Sequence, residues 1–165
     1  MFDSAQVYAD ELATVVEPGE RVLNATMVSY LPGRERRGRP DSVTFDPING
    51  LDSSRLNDAA VEAMGGTSLH GADGSLADQL SNVIGAASHL VITDRRVLVV
   101  DLGTGSAKLR WSAPRAAIVS MEWAPRLLQR GRVRVQLADG STVLVVAGML
   151  SGGAAKRLVA AGFGG

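Results

Sequence analysis

Ser88–Asp101 reads SHLVITDRRVLVVD, and this stretch decides the fold. Two apolar runs, His89–Thr93 and Val97–Asp101, flank the charged corner Asp94-Arg95-Arg96. Val, Ile and Leu suit a pleated, half-buried surface, whereas three adjacent charges require water, so the segment predicts a β-hairpin.

The same pattern continues downstream. It predicts strands near Arg96–Asp101, Lys108–Ser112, Ala117–Trp123, Gly131–Ala138 and Ser141–Ala147. Val133, Val135 and Leu137 alternate with Arg132, Arg134 and Gln136, which predicts one buried and one wet face. Asp139-Gly140 is expected to supply the positive φ angles of a tight hairpin. A helix capped by Ser151 and ended by Gly162 follows, with Ala154, Ala155, Leu158 and Val159 as its apolar patch. Upstream, a seventh strand falls within Glu20–Tyr30.

Three helices are expected in the front half. Asp3–Val16 carries a stripe of Ala5, Tyr8, Leu12, Val15 and Val16 and stops at Glu17-Pro18-Gly19. Ser54–Met64 has a weak stripe ended by Gly65-Gly66, and Ser75–Ala87 a stronger one, with Ser75 and Asp78 as a capping pair. Residues 31–50 show no periodicity and read as a loop; Gly65–Gly74 reads as a flexible connector.

With 165 residues, 45% of them hydrophobic and 21% charged, the chain is expected to form a single domain spanning 1–165. It has no cysteine, which removes disulfides, thiolate chemistry and Cys-based zinc sites. The start lacks a basic, apolar signal pattern, and the longest apolar run, Val143–Leu150, is far too short to span a bilayer. A cytoplasmic protein is expected. The zero net charge hides an asymmetry: residues 1–90 hold 13 acids and 6 bases, and residues 91–165 hold 4 acids and 11 bases.

Catalytic groups are scarce. His70 sits in the glycine-rich connector and His89 opens a strand, without the paired spacing that metal catalysis needs. No serine occupies a G-x-S-x-G elbow, and Gly103-Thr104-Gly105 is a turn rather than a phosphate loop. No enzyme activity, metal or cofactor is expected.

Glu17-Pro18-Gly19-Glu20-Arg21-Val22-Leu23 is similar to the opening element of bacterial pleckstrin-homology-like and GRAM-like domains. Leu90–Val97, with its Thr-Asp-Arg-Arg core, resembles their hairpin, and Trp111 with Pro114-Arg115 their W-x-x-P segment. The resemblance covers roughly residues 17–30 and 88–162. It implies a β-rich (α+β) fold, a seven-stranded antiparallel barrel or sandwich closed by a C-terminal helix. To this the chain adds an N-terminal helix and a helical insertion at 31–87. It further implies a non-catalytic scaffold for protein, peptide or lipid contacts.

Two arginine groups are the candidate contact residues: Arg34, Arg36, Arg37 and Arg39 in the insertion, and Arg126, Arg130, Arg132 and Arg134 in the back half. Guanidinium forks suit carboxylate and phosphate geometry. The preferred partner is another protein or a second copy of the chain. An anionic membrane surface is the alternative, and nucleic acid is disfavoured because no aromatic residues interleave with the arginines.

Overall fold

The computed structural model of the protein describes residues 4–30, 32, 35–37, 68–103, 105–126, 129–148 and 152–163, and of 35–37 the backbone alone. The expected helix Ser54–Met64, the caps Asp3 and Ser151, and Arg34 and Arg39 lie outside these residues. The elements in chain order are α1 (Ser4–Val7), α2 (Ala9–Leu12), β1 (Val22–Tyr30), β2 (Glu35–Arg37), β3 (Leu69–Gly71) and α3 (Leu76–Val83). They continue with β4 (Ser88–Thr93), β5 (Arg96–Gly103), β6 (Ser106–Pro114), β7 (Ile118–Trp123), β8 (Arg132–Leu137), β9 (Thr142–Ala147) and α4 (Gly152–Phe163).

All seven expected strands form, and they pair antiparallel in the order β6-β5-β4-β1-β9-β8-β7. β1 is the joint of this sheet. Its first part, Val22–Met27, pairs with β4, and its last three residues, Val28–Tyr30, pair with β9. One core therefore collects side chains from both parts of the sheet: Leu90, Ile92, Val97 and Val99 meet Val133, Val135 and Val143, with Leu80 of α3 and Leu158 of α4. The expected barrel is not closed, since no pairing joins the end strands β6 and β7 among the described residues.

Two short strands depart from expectation. Leu69–Gly71, read as connector, pairs antiparallel with β9, and Glu35–Arg37, read as loop, pairs parallel with β3. Neither segment has strand propensity. β9 extends beyond the reach of β1, and its edge groups need partners: Leu144 N donates to Ser68 O at 2.8 Å. Leu69, fully buried in the core, holds the pairing in place.

β4 is buried along its whole length and β5 from Val97 to Val100, so both faces of this part are covered. That is why these strands read as continuous apolar runs rather than as alternation. The second face, Ala25, Val91, Leu98 and Val100, is covered by Leu12 with Ala5, Tyr8, Val15 and Val16. The predicted stripe is therefore used, but not by one helix over Asp3–Val16. Tyr8, at φ −110° and ψ 27°, breaks the helix, and Val15 N and Val16 N both turn back to Leu12 O.

His89 lies in this layer, 2% exposed, its Nδ1 3.2 Å from Ala87 O and its ring edge-on to Tyr8. Burial pushes its pKa below the usual 6.5. The unfolded chain then takes up the proton first as the pH falls, so stability declines downward from about 6.5. Protection factors for the amides of Leu12, Val15 and Val16 are expected to fall between pH 7 and 5 in the wild type and much less in His89→Phe. Identical slopes would exclude His89 as the source.

α3 starts as predicted, with Ser75 Oγ accepting from Asp78 N, but it ends at Val83 because Ile84 is extended. Two of its first amides are bonded from a distance: Leu76 N donates to Asp139 Oδ2 at 2.7 Å and Ala77 N to Ser141 Oγ at 3.1 Å. The β8–β9 turn thus caps the insertion helix, which satisfies donors that a helix start leaves open. Only Gly140 in that turn has positive φ; Leu137 N bonds Ser141 O and Gly140 N bonds Leu137 O. The hairpin is therefore a three-residue loop with a glycine bulge, not the two-residue turn expected. α4 runs through Gly162, where a Cβ would come 2.8 Å from Met121 Sδ, so this glycine is there for close packing rather than as a stop.

Candidate functional site

The charged words at the front of the fold build a lock. Glu20, its side chain fully buried, takes Arg96 Nε on Oε1 at 3.1 Å and Arg96 Nη2 on Oε2 at 2.6 Å. Thr93 Oγ1 donates to the same carboxylate at 2.6 Å, and Glu17 N donates to it at 2.9 Å. Bonding to Arg96 outweighs burial and holds Glu20 at a pKa of about 2. Asp94, next in the corner, accepts from Arg21 N, and Arg115 donates to Thr93 O and to Ala161 O at the end of α4. Arg96 of the corner thus pairs with Glu17 and Glu20, just ahead of β1.

The histidines do not assemble a reactive centre. His70 is exposed on β3, in register with Arg36 and Thr142, while His89 is buried against Tyr8. Among the described residues no group of three His, Cys, Asp or Glu could hold a metal ion. Asn24 and Thr26, a formal glycosylation sequon, are buried and bonded to each other at 2.7 Å.

The second arginine group gathers at the β7–β8 end. Arg126 and Gln129 exchange backbone bonds across the turn, Arg130 is exposed, and Arg134 lies 3.7 Å from Glu122. Arg132 does not follow the wet face predicted for it: it is 5% exposed, and burial, with Arg126 and Arg134 nearby, lowers its pKa. Periodicity within the strand could not reveal this burial. Arg36 and Arg37 stand on β2, three strands away from β8 across β3 and β9. At ~4.8 Å per strand, β2 and β8 lie ~14 Å apart sideways.

At the centre of the β7–β8 group stands Trp123, 39% exposed. Its Nε1 donates to Arg130 O at 2.7 Å, and Lys156 Nζ lies 4.4 Å from the ring centroid. Gly152 lets α4 approach, since a Cβ there would meet Trp123 Cζ2 at 2.9 Å. Gly152 and Lys156 are one helical turn apart and flank the same ring. The result is an aromatic plate held in place by Arg130 O, Gly152 and Lys156, with Val119, 54% exposed, on the same strand; Arg134, in register with Glu122, belongs to the other face of the sheet. Lys156 carried no signal in the sequence, because the pairing exists only once α4 has packed on β7.

A separate apolar cleft of about 410 Å³ lies between the N-terminal segment and β1, lined by Ala5, Ala9, Leu12, Val16, Pro18 and Val22. Glu20 at its wall is already engaged by Arg96 and Thr93. No described helix is long and apolar enough to cross a membrane. Comparison of the chain with family models, with curated proteins and with solved structures gives no match.

Proposed function

We propose that the chain is a non-catalytic contact module of the pleckstrin-homology-like and GRAM-like kind, which docks another protein on the surface around Trp123. The observation that carries this reading is the Trp123 ring, half exposed yet fixed by Arg130 O, Gly152 and Lys156. Trp and Arg dominate interface energetics, and a plate held rigid before contact loses little entropy on binding. Seven antiparallel strands followed by a helix packed on the core support the family resemblance. The charged motif residues Glu20, Thr93 and Arg96 are taken up in holding strands together, which leaves them no role at a ligand.

Anionic membrane docking is the second reading. It is favoured by Lys156 over the Trp123 ring and by the exposed Arg130, whose carbonyl holds that ring. Each cation contributes ~1 kcal/mol near such a surface, so this docking is expected to be weak and to fade with salt. Wild type and Trp123→Ala, both immobilised, are to be compared for retained proteins and for binding to vesicles with and without anionic lipid. The protein-contact reading expects a retained set that depends on Trp123. A monomeric chain with no Trp123-dependent partner would end it.

A further inference from the structure

The Trp123 surface has a chemical complement within the chain itself. Among residues 4–20 there are four acids, Asp10, Glu11, Glu17 and Glu20, and no Lys or Arg; residues 123–134 hold four arginines and no acid. Of these arginines Arg132 is buried and Arg134 pairs with Glu122, so Arg130 with Lys156 carries the exposed charge beside Trp123. Glu20 and Glu17 are both engaged with Arg96, Glu17 with its side chain 59% exposed, but Asp10 is exposed. Beside them Val7, 55% exposed, points an apolar side chain into solvent, as Trp123 does on the other surface. The acidic segment packs on β1 and β6, whereas the basic surface lies on β7, β8 and α4.

We propose that the acidic outer side of the N-terminal segment of one copy docks on the Trp123 surface of a second copy. The contact is head-to-tail, since two different surfaces meet, and it leaves one free acidic and one free basic surface at the ends of any assembly. Pairing of open sheet edges is a poorer route to self-association. The β6 edge carries Lys108 and a bulge at Arg110, opposite Val99 and Val100, devices that discourage strand addition. The proposal names the partner for the contact-module reading and rests on it.

The test is charge reversal, read by sedimentation velocity of the full chain at low and high salt. Wild type is expected to gain mass with concentration at low salt and to lose that gain at high salt. Arg130→Glu/Lys156→Glu and Asp10→Lys/Glu11→Lys are each expected to weaken self-association roughly tenfold or more. An equimolar mixture of the two variants is expected to restore association, because the acidic segment of the first fits the basic surface of the second. Circular dichroism of each variant confirms that it is folded. Wild type that stays monomeric, association unchanged by either reversal, or reversals that abolish association without rescue in the mixture would overturn the proposal. If the chain is monomeric yet Trp123→Ala still loses a retained protein, the self-contact falls and the contact module stands.

Discussion

Gly131→Ala is expected to lower stability by about 3 kcal/mol or more, a larger loss than any surface substitution in this chain. Gly131 is buried at the entry to β8, and its carbonyl accepts from Ala147 N at 2.8 Å. A Cβ there would overlap Gly148 O and Ala147 O. Both obstacles are backbone, so no rotamer change can make room. The ends of β8 and β9 must part, and with them the pairing of Arg132 with Val146. At ~2–4 °C per kcal/mol for a chain of this size, the melting temperature is expected to fall by roughly 6–12 °C. Gly140→Ala is the comparison. Nothing lies within 4 Å of that position, and its φ of +81° is the sole obstacle, worth about 1 kcal/mol. Thermal unfolding followed by far-UV dichroism ranks the two; a Gly131→Ala protein that melts with the wild type would refute the close approach.

Gly131 also shows where reading the sequence ends. Its φ is not positive, so no turn signature marks it; its need is for space that only the pairing of β8 with β9 defines. The hairpin Asp94-Arg95-Arg96 and the alternation Val133, Val135, Leu137 were legible because strand periodicity is local. β3 was not, since Leu69 becomes a strand residue only when the edge of β9 presents itself. The same applies to Arg132, placed on a wet face by alternation and found buried in the fold. Closure of the sheet depends on how sharply β1 bends, and nothing in Val22–Tyr30 encodes that angle. Of the candidate surface, the arginines stood out by grouping. The fixed Trp123 and its partner Lys156 required α4 in place.

The motif residues Glu20, Thr93 and Arg96 therefore serve the frame, and the proposed contact surface lies elsewhere. This division bears on which substitutions matter for what. Changes at Arg130 or Lys156 act on exposed groups and are expected to leave melting nearly unchanged, as surface substitutions do. Changes at Glu20, Thr93 or Arg96 act on the joint between β1 and the β4–β5 hairpin and are expected to act on stability first.

Glu20→Gln is the test of that joint, with an expected loss of about 3 kcal/mol at pH 7. Breaking a buried pair by removing one partner leaves the other charge without compensation; here Arg96 keeps Glu17 at 3.2 Å and a side chain 21% exposed, which limits the loss. The pH dependence has a definite sign. Glu20 is held at about 2 in the fold against 4.5 ordinarily, so the unfolded chain binds its proton first as acid is added. The stabilisation is complete above about 4.5 and is lost as the pH falls toward 2. At ~1.4 kcal/mol per pH unit, the ionised carboxylate accounts for about 3 kcal/mol, in agreement with the mutational figure. Urea unfolding at pH 7, 4.5 and 2.5 is expected to show the gap between wild type and Glu20→Gln closing across the last two. In Glu20→Gln/Arg96→Met both charges are gone, and part of the lost stability is expected to return. A gap that stays constant down to pH 2.5 would mean that Glu20 acts through packing, and the ion pair would no longer be what joins β1 to the hairpin.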